Sequence, residues 1–289
     1  MTDRCRPADA RRRFAAIAAR PDAEIDLAEA ALVVAQEEYP DLDVKAYLRR
    51  LEELGDGARS RVGAAAIVAR GGLGPRDVVE RLSRYLYDEC GFRGNREAYY
   101  DPRNSYLNEV LDRRTGIPIT LALVYIEVGR RVGLPLVGIG FPGHFLVGCD
   151  APGGRLLIDP FDRGSLLTEA DCAAMLSRLH GHPVPLARHL LAPVGPRLFL
   201  VRMLRNLKAI YLERDDLARA LAAVERILLL LPDAAEERRD RGLIHLKRQA
   251  FSLAAADLDA YLAARPQAAD REQVARYLLT VRQILARLN

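Results

Sequence analysis

His144 is one of five histidines in the chain. It stands in "GIGFPGHFLVGCD" (138–150), between a Pro-Gly turn and a short apolar run. A histidine with a carboxylate behind it and a nucleophile in front of it is the arrangement used for acyl transfer. The segments "HFLVGC" and "RLLID" read as strands pairing about the loop "DAPGG", which sets His144 opposite Asp159 or one step diagonal to it. Directly opposed side chains on one face are about 5 Å apart, so Asp159 can hold the tautomer and orientation of the imidazole. A purely structural histidine–aspartate contact has the same spacing, and spacing alone leaves both readings open.

A nucleophile is harder to find. Cys149 lies five residues past His144 on the same strand, roughly 16 Å away and on the opposite face. Cys90 and Cys172 fall outside the core motifs and read as core thiols. Ser105, in "DPRNSYLNEVL", belongs to a loop that can face a cleft. It is expected to cap the helix through Asn108–Leu111, with Asn104 and Asn108 bracing the loop by hydrogen bonds. A metal centre needs convergent ligands, and His144 and Asp159 with Glu127 or Glu109 match no HxH, HExxH or cysteine-cluster pattern. His180 and His182 in "HGHPVP" alternate in a way that can bind metal, but with Pro183 they are expected on an inter-domain linker. "GGLG" and "GIGFPG" lack the lysine and the strand–helix context of a phosphate loop. No metal or other cofactor is expected.

The surrounding elements are those of an α+β chain. Residues 1–93 are helical in pattern: Val44, Tyr47, Leu48, Leu51 and Leu54 share one face, as do Val78, Val79, Leu82, Tyr85 and Leu86, where Asp77 can cap. The core, 94–165, opens with an ordered loop and a short helix near Ser105–Arg113. In "GIPITLALVYIEVGRRVGLP", Pro118 suits a first helical turn, and apolar residues all round from Ile117 to Val128 mark a buried helix. The period then changes to two, and "LPLVGIG", "HFLVGC" and "RLLID" read as three short strands.

Composition narrows the functional classes. Half of the 289 residues are hydrophobic, 28% are charged and the net charge is +4, which suits a packed core. The basic residues are nearly all arginines interleaved with acids, and no basic run with aromatics points to nucleic acid. The start, "MTDRCRPADARRRF", has no apolar segment behind its charges, so no secretory signal is expected. The windows Ile117–Val128 and Ile227–Leu231 are too short for a bilayer. Cys5, Cys90, Cys149 and Cys172 lack CxxC spacing and read as reduced thiols of a cytoplasmic protein.

The C-terminal region repeats itself. Pro232 and Pro266 lie 34 residues apart, as do Ala220 and Ala254, Ile227 and Tyr261, and Leu228 and Leu262. Helix pairs at that period, with a small residue at the close-packing position and a closing proline, form the tetratricopeptide signature. The expected division is 1–190 for the first domain and 197–289 for the repeats, with units at about 199–232 and 233–266 and a capping helix at 270–288. Such arrays bind extended peptides or helices along the first helix of each pair. Here those helices carry Arg202, Arg205, Asn206 and Lys208, then Arg238, Arg239 and Arg241, a set that would favour an acidic peptide if it is not simply solvated.

The buried helix, "GLP", the strand bearing His144 and the strand ending in "DPF" resemble the core of the transglutaminase-like superfamily, of papain-type fold. The longer run "GNREAYYDPRNSYLNEVLDRRTGIPITL … GFPGHFLV … LIDPFDRG", ahead of tetratricopeptide repeats, resembles the bacterial invasion-regulator SirB family. The module is also found, by resemblance, in certain eukaryotic F-box proteins. The resemblance implies that His144 and Asp159 match the superfamily's histidine and aspartate. It sets Pro118 where the superfamily carries its nucleophilic cysteine, and proline has no nucleophilic atom. Thr120, about 200° round the helix from Pro118, is expected to point away from the cleft.

The favoured reading is therefore a non-enzymatic interaction or regulatory protein that docks a protein or peptide through its repeats, with His144 and Asp159 as a relic dyad. The alternatives are a hydrolase or acyl-transferase with an unrecognised nucleophile such as Ser105, and a small-ligand or peptide cleft that uses Asn104, Ser105, Asn108 or Thr120 without chemistry.

Overall fold

A computed structural model describes residues 6–62 and 74–288. Cys5 and residues 71–73 of "GGLG" lie outside the described residues. The N-terminal stretch forms α1 (Pro7–Ala18), α2 (Leu27–Gln36), α3 (Val44–Val62) and α4 (Pro75–Arg84). Asp77 turns back to accept from the Gly74 amide at 3.2 Å, closing the start of α4. The helix then widens into a π-turn over Tyr85–Glu89, sealed by Cys90 N donating to Tyr85 O at 2.9 Å. Such a turn rotates the residues it contains relative to a regular helix, and Tyr87 within it is buried.

Strand β1 (Arg93–Gly94) pairs in parallel with β2 (Thr115–Gly116). Between them run a 3-10 turn (Pro102–Ser105) and α5 (Leu107–Arg113). Helix α6 (Pro118–Arg131) follows at once and is buried from Pro118 through Gly129. Gly116 is required at this junction, because a Cβ there would come within 2.8 Å of Thr120 Oγ1 and 3.2 Å of Val110. Arg130 and Arg131 complement the helix's negative end, and Gly133 (φ +86°) turns the chain out of it.

Against α6 lies an antiparallel sheet of five strands, where three were expected: β3 (Leu136–Ile139), β4 (Leu146–Ala151), β5 (Gly154–Asp159), β6 (Ser165–Leu167) and β7 (Pro193–Val194), in the order β6-β5-β4-β3-β7. The added strands are the two edges. They are short, and β7 opens with a proline, which an edge tolerates because its missing N–H leaves no ladder bond broken. In the central hairpin Val147 faces Ile158 and Ala151 faces Gly154. Ile139, Phe141, Leu146 and Leu157 pack with Cys172 and Leu176 of α7 (Glu169–His180). Each large apolar side chain so buried contributes about 1.5–3 kcal/mol.

The described chain divides into two units, Met1–Met203 and Leu204–Asn289. The division falls inside α8 (Pro196–Glu213), beyond the expected 190–197 segment. The reason is packing: Phe199 sets its ring 4.6 Å from that of Phe145, so the first turns of α8 belong to the N-terminal core. The second unit continues with α9 (Leu217–Leu230), α10 (Ala235–Lys247), α11 (Phe251–Ala264) and α12 (Arg271–Leu288). Its 34-residue period is visible in the backbone itself. Asp215 (φ +53°) and Gln249 (φ +59°) are left-handed at equivalent turns. Asp216 N donates to Tyr211 O at 2.8 Å, as Ala250 N does to His245 O at 2.9 Å. Among the described residues no helix is long and apolar enough to cross a membrane.

Candidate functional site

His144 does not sit in a strand, as the pattern "HFLVGC" suggested, but in the turn leading into β4. Its amide donates to Phe141 O at 3.1 Å, and Gly143 supplies the left-handed residue (φ +66°) that closes the turn. The flanking Phe141 and Phe145 are buried and anchor it. Since β4 and β5 are in register from Val147–Ile158 outward, this turn comes back over the end of β5, where Asp159 stands. The structure brings the two together, with His144 Nε2 at 2.8 Å from Asp159 Oδ1 and side-chain exposures of 15% and 8%.

Asp159 Oδ1 is engaged from a second side, accepting from Phe161 N at 2.9 Å and Asp162 N at 3.3 Å, where it caps the 3-10 turn Pro160–Asp162. A carboxylate can only accept, so the bridging proton belongs to Nε2 and the lone pair of a neutral imidazole lies on Nδ1. Nδ1 has no protein hydrogen-bond partner among the described residues. Chemically, the pair offers an oriented acceptor or base.

A layer behind the pair was not anticipated from sequence. Tyr87 OH donates to Pro160 O at 2.7 Å, and Ser83 Oγ lies 2.9 Å from Tyr125 OH and 3.2 Å from Gly164 O. Burial holds both phenols protonated well above their usual range. These residues fasten both ends of the turn that Asp159 caps. The signals were a serine on the apolar face of α4 and a tyrosine inside the all-round apolar α6.

The remaining candidates are positioned as follows. Pro118 is the first residue of α6, buried. Thr120 Oγ1 accepts from Ile117 N at 3.2 Å and donates to Asn104 O at 2.7 Å, so it ties the helix start to the preceding loop. Asn104 braces that loop: its amide donates to Ala98 O at 2.7 Å and Tyr99 O at 3.2 Å and accepts from Asn95 at 3.1 Å. Ser105 does not cap the following helix. The N-cap of α5 is Tyr106, which makes no side-chain capping bond, because the 3-10 turn carries the chain one residue further before the helix begins. Ser105 Oγ and Asn108 Oδ1 are buried with no hydrogen-bond partner among the described residues. The thiols of Cys149 and Cys172 are buried, and burial pushes each up to about 11. Among the described residues no group of three or more His, Cys, Asp or Glu is arranged to hold a metal ion.

Apolar surface gathers around the His144 turn. Among the described residues of this unit the exposed large apolar side chains are Tyr100, Leu179 and Leu198. Leu179 lies against Gly143, where a Cβ would meet it at 3.2 Å. A row of edge-to-face rings links Tyr100 to Tyr99 (5.2 Å), Tyr99 to Phe161 (6.0 Å) and Phe161 to His144 (6.0 Å). Leu198 stands one turn ahead of Arg202 on α8, and Arg202 Nη2 reaches Phe141 O and His144 O at 3.4 and 3.5 Å.

The transglutaminase-like superfamily matches residues 45–205, and a tetratricopeptide repeat family matches 207–278. A UPF0162 protein of Xylella fastidiosa (strain 9a5c) is 40% identical over 261 residues, spanning 89% of this chain and 90% of that protein. The chain belongs to the UPF0162 family. A second member, from Vibrio cholerae, is 35% identical over 188 residues, 63% of this chain and 68% of its own. F-box only protein 21 of Mus musculus is 38% identical over 138 residues, covering 45% of this chain and 21% of that protein.

In this UPF0162 chain the cations expected to line a repeat groove are engaged within their own unit. Arg205 and Lys208 both reach Glu237 at 2.7 Å, and Lys208 also reaches Asp240 at 2.7 Å. Arg239 bridges Asp240 and Asp270, Arg241 forks onto Asp257 with two 2.7 Å bonds, and Arg238 donates to Pro232 O at 2.8 Å. Asn206 is half-exposed on α8. The Arg205 and Lys208 pairs run from the first helix of one repeat to the first helix of the next, the Arg241 fork joins the two helices of one repeat, and Arg239 reaches forward to the turn before α12.

Proposed function

We propose that this UPF0162 member is a SirB-type, non-enzymatic interaction protein of the cytoplasm, in which a degenerate transglutaminase-like domain and the repeats both serve as docking surfaces for a protein or peptide. The reading is carried by an oriented histidine together with a proline at the helix start where the superfamily resemblance sets the nucleophilic cysteine. His144 is held by Asp159, yet α6 begins at Pro118. The described buried thiols are raised far from neutrality. The apolar side chains Tyr100, Leu179 and Leu198 around the His144 turn support docking, since exposed apolar patches on a folded domain mark interaction sites. The ion pairs that Arg205, Lys208, Arg239 and Arg241 already make within the unit weaken the case for an acidic peptide as the partner of the repeats.

The test compares the wild type with His144→Ala in amine-incorporation, peptidase and esterase assays. No turnover above background is expected from either. Turnover by the wild type that His144→Ala abolishes would overturn the reading.

One observation favours a second reading, a hydrolase built on Ser105: its hydroxyl is buried with no partner among the described residues. A fluorophosphonate probe that labels the wild type but not Ser105→Ala would establish it.

A further inference from the structure

The motif "HGHPVP" is not used by the docking function. Helix α7 ends at His180, and Gly181 (φ +74°) reverses the chain so that His182 comes back beside it. The two rings lie with centroids 5.9 Å apart and planes inclined by 49°, and both residues are exposed. With metal–nitrogen bonds of about 2.0–2.1 Å, two imidazoles on one ion have centres roughly 4.5 Å apart when adjacent in a square plane and roughly 6.4 Å when opposite, so the two exposed rings reach one ion by a side-chain rotation that moves them by about 1 Å.

The tautomer is also prepared. His182 Nδ1 lies 3.2 Å from Pro183 O. A carbonyl oxygen only accepts, so Nδ1 carries the proton and Nε2 keeps its lone pair. A ring N–H given to a backbone carbonyl is the usual support of a metal-binding histidine. The position at the C-terminus of a twelve-residue helix adds a favourable field for a cation.

We propose that His180 and His182 form a two-imidazole chelate for a divalent transition metal, with Cu(II) bound in preference to Ni(II) or Zn(II). Among the described residues no third His, Cys, Asp or Glu joins the pair, so water fills the remaining positions. Two imidazoles and water make a nitrogen–oxygen set that suits tetragonal Cu(II), the ion that nitrogen and oxygen sites hold most tightly in the divalent series.

The experiment titrates the full chain with Cu(II) in the presence of glycine as competitor, read by electron paramagnetic resonance. One equivalent with an axial signal and coupling to two nitrogens is expected. His180→Ala and His182→Ala should each weaken binding about tenfold or more by removing the chelate, and His189→Ala should leave it unchanged. Both histidines are exposed, so circular dichroism should report intact folding in every variant. Loss of the two-nitrogen signal in the double variant supports the site. A signal that survives the double variant, or that instead follows His144 or His189, overturns it, as does the absence of stoichiometric binding.

Discussion

His144 Nε2 rests 2.8 Å from Asp159 Oδ1, and that oxygen also receives the amides of Phe161 and Asp162. The dependence is unequal: His144 has one partner in the pair, whereas Asp159 organises a turn. Asp159→Ala should therefore cost about 2–4 kcal/mol, since it leaves buried donors unpaired. His144→Ala, which leaves Asp159 its backbone donors, should cost about 1 kcal/mol. Urea unfolding followed by circular dichroism measures both, and equal losses would refute the asymmetry.

Cys149 and Cys172 should be silent toward iodoacetamide in the folded protein at neutral pH. Burial raises each thiol to about 11, and only the thiolate reacts. Their labelling should be slower than that of a free cysteine by about two orders of magnitude, climbing with pH through 9 and 10. Mass spectrometry of alkylated peptides reads this site by site. Fast labelling of either thiol at pH 7 would count against a domain without a nucleophile.

The parts of the fold set by short-range pattern are legible in the sequence. Helix α6 announces itself by apolar residues on every side, the central hairpin by its period of two about Pro152-Gly153, and the repeats by their 34-residue offset. What is not legible depends on residues far apart. Strands β6 and β7 are too short to show a period, and they exist because β5 and β3 leave edges for them. The His144–Asp159 pair follows from hairpin register, but Tyr87 reaches Pro160 only because a π-turn redirects it. Likewise Arg205, Lys208 and Arg239 meet acids about thirty residues away and Arg241 one sixteen residues away, distances at which a list of arginines looks like a free basic face.

Glu237 should be the most sensitive acid of the repeat unit. It is 2% exposed and holds both Arg205 and Lys208. Breaking a buried ion pair from one side leaves an uncompensated charge. Because Lys208 keeps Asp240, Glu237→Ala should cost about 2–4 kcal/mol. The surface pair Arg265–Glu236, about half-exposed at both ends, should by contrast change stability by no more than about 0.5 kcal/mol in Glu236→Ala. Thermal unfolding of the two variants checks the ranking.

Asp270 links the same unit to pH. The Tyr261 hydroxyl, donating at 2.5 Å, and the Arg239 guanidinium hold its carboxyl below the ordinary range. A group with a depressed folded pKa contributes stability that is present above its unfolded value of about 3.9 and lost as pH falls through the folded one. Acid should thus weaken this contribution only below about pH 4. Tyr261→Phe, which removes one of the two donors, should move the Asp270 titration upward. Carboxyl carbon NMR follows that group directly, and an unmoved titration in Tyr261→Phe would mean that the hydroxyl does not hold it.

Pro118→Cys asks what the start of α6 was built to face. The first helical position needs no amide bond, so replacing proline there should cost no more than about 1 kcal/mol. If this position corresponds to the superfamily's nucleophile, the new thiol meets the Nδ1 lone pair that Asp159 orients. It should then react with iodoacetamide faster than Cys90 does, and the rate should fall about tenfold or more when His144→Ala is added, because the imidazole lowers the thiol's pKa. A thiol at 118 that labels at the same rate with or without His144 would separate Pro118 from the histidine. The absence of a nucleophile would then have to be explained from another part of the domain.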